Sequence, residues 1–398
     1  MAARRRRKRS PRPDPDLAAE RRLFDRGIVH RILIERFIAG EIDSLAAIWD
    51  EGLEDAATTV LRLGRLKGRG MGVRPRGPWD TVLYAEALAR IADILQGTTV
   101  AFRNAVRQSM LELGRAEIAW QRKAVQESLG FSFDLPPTNI ARAALVASPI
   151  EGRHLADWTD GLSKTAQTKI RTEVNRALMR GDNLDDLVRQ IREITSKTLE
   201  HARAIARTAL SHASSAGRES LFQANSDVVI GVLWVSTLDA RTTDQCAALD
   251  GTVHRLSEGP RPPAHVNCRS DVAPLTRSTA SILAGETGPP TDEQLLEARD
   301  RRQGKRAAYD YASGTNAPAS INERFPQWLQ KQPATVQDQV LGRDRARLWR
   351  AGKIKIEQFL TRDYRVLTLT ELIRREGLTA ADLRAVGIRN VGRYLRAA

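Results

Sequence analysis

The sequence predicts an α+β protein that is mostly α-helical, built around one short antiparallel sheet. Three observations lead there. Apolar residues recur at helical spacing through most of residues 17–130, and again through 155–224 and 293–398. One continuous β-branched run, Val228-Val229-Ile230-Gly231-Val232-Leu233-Trp234-Val235-Ser236, stands out as a strand. Two further stretches, 249–254 and 268–275, read as short strands beside it.

Taken in order, residues 1–16 form a disordered basic arm. All six positions from Arg4 to Arg9 (Arg4, Arg5, Arg6, Arg7, Lys8, Arg9) are cationic, and Pro11, Pro13 and Pro15 block a helix. The arm suits phosphate neutralisation on nucleic acid; a solvated tail with no partner is the alternative. Residues 17–150 form a helical region offering protein–protein contacts. Leu23, Ile28, Ile32, Leu33, Phe37 and Ile38 mark a first helix, and Asp43-Ser44 is expected to start a second. The Gly/Arg-rich stretch from Gly68 to Gly77 reads as a loop, since it lacks the Lys-Ser/Thr ending of a phosphate-cradling motif. Trp79 to Gly130 predicts one or two long amphipathic helices, followed by a linker through Pro136-Pro137 and Pro149.

Residues 151–277 are expected to form a compact α+β unit. Helices are predicted at about 163–180, at 184–194 capped by Asn183, and at 198–224 capped by Thr198. The last is rich in small residues (Ala202, Ala206, Ala209, Ala213), which permits close packing; its His201 and His212 lie three turns apart and are taken as structural. A linker covers 278–292, and a helical C-terminal region covers 293–398. Its markers are Phe325, Trp328 and Leu329; Val340, Leu341, Leu348 and Trp349; and the segments 370–373 and 380–383.

Composition bounds the function. The 398 residues carry 63 Lys and Arg against 48 Asp and Glu, a net charge of +15, which favours polyanionic partners. Two cysteines exclude a disulfide-rich scaffold. The longest uncharged apolar run, Val228 to Leu238, is about half of what a bilayer requires. No apolar segment follows the N-terminal arginines, so no ordinary signal peptide is expected.

Chemistry concentrates in residues 234–275. Both cysteines and two of the six histidines fall there: Cys246, His254, His265 and Cys268, separated by seven, ten and two residues. Two thiolates and two imidazoles make a tetrahedral zinc set, and His-x2-Cys lets two side chains converge from one turn. Zinc is therefore the one cofactor considered. The alternative is that Cys246 packs in the core while the histidines make local hydrogen bonds. Asp239 reads as a helix N-cap, and Asp250-Gly251 as the turn that closes that helix. A divalent-metal nuclease using Asp239, Asp250, His254 and His265 is a competing reading, but no two carboxylates have spacing that fixes them on one face. No Gly-x-Ser-x-Gly, His-Glu-x-x-His or Walker motif is present, and no enzyme is expected.

The same segment resembles the Mu F-like minor head proteins, or head morphogenesis proteins, of tailed bacteriophages. The residues that carry the resemblance are Ala206-Arg207-Thr208, Trp234, Thr237-Leu238-Asp239-Ala240-Arg241-Thr242, Cys246, Leu249-Asp250-Gly251 and Pro262-Pro263-Ala264-His265-Val266-Asn267-Cys268-Arg269. Two departures are visible: many members carry a cysteine where Thr243 stands and another where Ser270 stands. A weaker similarity continues through Phe325-Pro326-Gln327-Trp328-Leu329 to Leu348-Trp349-Arg350-Ala351-Gly352-Lys353. The resemblance implies a structural virion protein present in few copies inside the head, near the portal, and in the host cytoplasm during assembly. It implies portal, major capsid or scaffolding protein as partners. Together with the charge it implies non-specific contact with phage double-stranded DNA, and no membrane. A free nucleic-acid-binding protein using Arg4 to Arg9 is the remaining alternative.

Overall fold

The computed structural model describes residues 15–70, 81–130, 132–180, 184–256, 258–302, 305–306, 308–316 and 318–395. The basic residues Arg4 to Arg9, Asn183 and positions 71–77 of the Gly/Arg-rich stretch lie outside these. The expected fold class holds: long helices, a small antiparallel sheet, then short helices.

The N-terminal layer is helical. α1 (Pro15–Gly70) and α2 (Thr81–Leu129) are each one uninterrupted helix. The expected restart at Asp43-Ser44 does not occur. Ile34, Ile38, Ile42, Leu45, Trp49, Leu53, Ala56 and Val60 keep one buried face through that point without a change of phase. Packing along the whole face outweighs the local capping preference of two residues. The facing surface of α2 supplies Ile91, Leu95, Phe102, Val106, Met110 and Leu113.

The span read as a linker contains α3 (Thr138–Val146), whose Leu145 is buried. α4 (Leu155–Arg180) begins earlier than expected, and α5 (Leu184–Ala224) absorbs both predicted helices. Thr198 is not a cap. It is fully buried, and its hydroxyl donates back to the carbonyls of Thr195 at 2.9 Å and Ile194 at 3.3 Å, so the helix passes through. The small residues of α5 have the predicted use: Ala202, Ala206, Ala209 and Ala213 lie in the same core as α1 and α2. At the α2–α5 crossing a Cβ on Gly217 would sit 2.7 Å from the Gly114 carbonyl oxygen. Only glycine permits that approach.

β1 (Val229–Val235) is the central strand, flanked by β2 (Val253–Arg255) and β3 (Asp271–Thr276) in the order β2-β1-β3, all antiparallel. Its continuous apolar character follows from burial on both faces. Val229, Val232 and Trp234 join Leu221, Phe222, Leu249 and Val272, whereas Ile230 and Leu233 join Leu275, Leu295 and Ala298. Between β1 and β2 comes α6 (Asp244–Leu249), so the predicted strand at 249–254 shortens to 253–255. Its start is not Asp239: Thr243 is the N-cap and its hydroxyl accepts from the Cys246 N–H.

The predicted linker holds α7 (Thr279–Leu283), and α8 (Asp292–Asp300) follows. The C-terminal region adds two minimal antiparallel pairs absent from the sequence reading: β4 (Lys305–Arg306) with β7 (Ala319–Ser320), and, nested inside that pairing, the hairpin of β5 (Tyr309–Asp310) with β6 (Thr315–Asn316). Helices α9 (Phe325–Gln330), α10 (Ala334–Leu341), α11 (Arg343–Arg350), α12 (Leu369–Arg375), α13 (Ala380–Ala385) and α14 (Gly392–Leu395) complete the chain. The single helix marked by Val340 to Trp349 is two, parted at Gly342, whose φ of 76° no ordinary residue adopts freely. These elements bury Phe325, Trp328, Leu348, Ile356, Phe359 and Leu372 against Leu238, Ala247 and Ala248. Among the described residues no helix is long and apolar enough to cross a membrane.

A buried charge cluster joins the helices to the sheet. Glu117 of α2 meets Arg218 of α5 at 3.0 Å and His30 of α1 at 2.7 Å, and Gln121 donates to it at 2.8 Å. Arg218 also binds Asp271 of β3. Burial alone would raise the Glu117 carboxyl, but Arg218 and His30 overcome it and hold the group down to about 2.

Candidate metal centre and the motif network

Three of the four predicted ligands converge. Cys246 comes from the first turn of α6, and His265 and Cys268 from the loop that leads into β3. Their ligand atoms all lie within 4.8 Å of one another. Cys246 Sγ is 3.1 Å from His265 Nε2 and 3.7 Å from Cys268 Sγ. Both thiols are buried and unbridged.

The loop geometry explains the convergence. The Cys268 N–H donates to the His265 carbonyl at 3.0 Å, closing a tight turn that places both side chains on one side. Asn267 sits inside that turn at φ 62°, in the left-handed region that asparagine tolerates. Its N–H donates to Thr208 Oγ1 of α5 at 3.1 Å, which pins the loop to the helix. His265 Nδ1 faces the Val266 carbonyl at 2.9 Å; that oxygen can only accept, so Nδ1 carries a proton and Nε2 is turned toward the sulfurs. The Cys246 thiol shares its proton with Cys268, which lowers Cys268, further stabilised by His265, while burial and the same partner push Cys246 up.

His254 is elsewhere. It lies on β2 opposite Val232 of β1, its Nε2 is 2.8 Å from Thr252 Oγ1, and its ring meets Tyr364 edge-on. Burial, aided by the Arg261 charge, pulls it down to about 4. Two hydroxyls border the trio instead: Thr243, whose Oγ1 is 2.9 Å from His265 Nε2, and Ser270, whose hydroxyl is hydrogen-bonded to the Cys246 thiol.

The remaining motif residues are occupied in structure. Asp239 accepts both terminal nitrogens of Arg269 at 2.5 and 2.6 Å, and the Arg241 N–H at 3.0 Å. The Arg241 side chain is itself exposed and 3.4 Å from Asp239. Thr242 donates to the Thr237 carbonyl at 2.5 Å. Trp234 is fully buried and donates to Ser236 Oγ at 2.9 Å; that hydroxyl donates to the Cys246 carbonyl at 2.7 Å. Asp250 is bound bidentately by Arg306 at 2.9 and 2.5 Å and accepts the N–H groups of Ser236 and Phe325 at 2.8 and 2.7 Å. Gly251 adopts φ 78°, and a Cβ there would meet Arg324 at 2.9 Å. Arg207 reaches Glu35 of α1 at 3.8 Å, and Pro263 follows a cis Pro262–Pro263 bond.

The four residues of the nuclease alternative therefore do not gather. Asp239 and Asp250 are each saturated by an arginine, and His254 is apart from His265. Sequence reading missed Arg306, Arg218 and Glu117. They lie tens of residues from their partners, so no local spacing marks them.

Fold and site together define a helical scaffold whose motif residues hold a small sheet to the elements around it. Residues 168–273 match the family model described as phage Mu protein F like protein. That family is one of phage head morphogenesis proteins, structural rather than enzymatic. No curated protein and no solved structure matches the chain.

Proposed function

We propose that this chain is a minor head protein of a tailed bacteriophage, acting in procapsid assembly near the portal and touching packaged DNA without sequence preference. The observation that carries the reading is the match over residues 168–273, whose motif residues fall on the Asp239–Arg269 and Asp250–Arg306 pairs and the Cys246–His265–Cys268 trio. The long α1 and α2 supply surface for portal, major capsid or scaffolding protein. The net charge of +15 supports backbone contact with densely packed duplex DNA, with Arg4 to Arg9 as the first candidates.

Quantitative mass spectrometry on empty and DNA-filled particles tests the proposal. A few copies per particle are expected. A protein confined to the cytosol and missing from every particle type overturns it. For the DNA contact, affinity for duplex should fall steeply between low and moderate salt, and an affinity indifferent to salt refutes that part.

A further inference from the structure

We propose that Cys246, His265 and Cys268 form a three-ligand zinc site whose fourth corner is the Thr243 hydroxyl position, so that the bound ion is exchangeable rather than caged.

The spacing of the trio is the first argument. Zinc–sulfur bonds of about 2.3 Å at tetrahedral angles set two thiolates about 3.8 Å apart, and a thiolate about 3.6 Å from an imidazole nitrogen. The observed sulfur–sulfur separation of 3.7 Å matches, while Cys246 Sγ to His265 Nε2 at 3.1 Å is a direct hydrogen bond that an ion would open by about half an ångström. A disulfide would need about 2.0 Å, so the sulfurs are not bonded to each other, and the proton they share holds them at the separation an ion would require. The second argument is the tautomer: with Nδ1–H held by the Val266 carbonyl, His265 offers the Nε2 lone pair to the space between the sulfurs. The third is charge. Two thiolates and Zn²⁺ sum to zero, which suits a site where Cys246 is 2% and Cys268 1% exposed.

The fourth corner distinguishes this chain. Thr243 caps α6, accepting the Cys246 N–H at 3.4 Å, while its Oγ1 lies 2.9 Å from His265 Nε2. A neutral hydroxyl is a poor zinc ligand, but it orients a water well. A site with three protein ligands and one water is open, whereas four protein ligands close it. A cysteine at 243 would stand one helical turn before Cys246 and complete a Cys3His set.

The test uses full-length reduced protein and does not depend on the head assignment, since zinc is read on the purified chain. After zinc loading and desalting, the wild type should carry one zinc per chain and release it to a chromogenic chelator. Cys268→Ser should lose the metal. Thr243→Cys, with its fold checked by circular dichroism and thermal melting, should retain it under the same chelator. His254→Gln should leave the stoichiometry unchanged. Cobalt loading should give a thiolate charge-transfer band that strengthens in Thr243→Cys. Substoichiometric zinc in both the wild type and Thr243→Cys overturns the proposal, and so does loss of zinc from a folded His254→Gln.

Discussion

Removing the Asp250 carboxylate should detach the C-terminal region from the sheet. Its side chain is fully buried and satisfies four donors at once: two nitrogens of Arg306 and the N–H groups of Ser236 and Phe325. In Asp250→Ala the Arg306 guanidinium, 3% exposed, keeps its charge without a counterion. Breaking one side of such a pair costs about 3–5 kcal/mol. Each stranded backbone N–H adds about 1–3 kcal/mol unless water reaches it. A loss of about 4 kcal/mol or more is expected, a large part of the roughly 5–15 kcal/mol that holds an ordinary domain. Urea unfolding followed by tryptophan emission measures it, because Trp234 lies on one side of the joint and Trp328 on the other. The decisive form is a cycle with Arg306→Met. Since the two residues serve each other, the double variant should be less destabilised than the sum of the singles by about 2 kcal/mol or more. Single variants that each cost under about 1 kcal/mol, or costs that simply add, would refute the reasoning.

Four further outcomes are expected. Glu117 has its carboxyl depressed to about 2 against an ordinary 4.5, so it contributes stability above pH 4.5 that is lost as pH falls through 2, at most about 3 kcal/mol; Glu117→Gln should be less stable at neutral pH and flatter across that window in acid-unfolding curves. His254 is depressed to about 4 from 6.5, so the unfolded chain binds the proton more readily and stability declines as pH drops from 6.5 toward 4; His254→Gln should remove that decline in pH-dependent thermal melts. Gly217→Ala should cost about 1–3 kcal/mol by forcing α5 from α2. Gly40→Ala, with nothing within 4 Å, should instead stabilise α1 by up to about 1 kcal/mol, and melts showing equal shifts would contradict the close-approach argument.

What the sequence made legible divides along physical lines. Periodicity identified the long helices because each keeps one apolar face, and it misjudged their ends because Asp43-Ser44 and Thr198 carry local capping signals that continuous packing overrides. The Val228–Ser236 run declared its strand because both faces are buried. The two-residue strands at 305–320 are too short for any alternation to register. At the candidate site, clustering of Cys246, His265 and Cys268 within 23 residues was a usable signal. The addition of His254 was not, since its position on β2 opposite Val232 depends on strand pairing. Asp239 and Asp250 were noticed but read as a cap and a turn. Asp250 does end α6, whereas the role of Asp239 is to hold Arg269. Their arginine partners needed the tertiary structure.

The helices α4 and α5 contribute Ile170, Val174, Ala202, Ala206, Leu210 and Ala213 to the core that α1 and α2 also build. The segment 168–273 therefore shares its core with the helices that precede it. Excised alone, it would carry a bare apolar flank into solvent; grafted behind a foreign N-terminal half, it would need helices that offer a small residue opposite Gly217, while Arg218 would keep Asp271 as its partner. Chimaeras of this chain are expected to fold when the seam lies outside the helical stack and to fail when it lies within it.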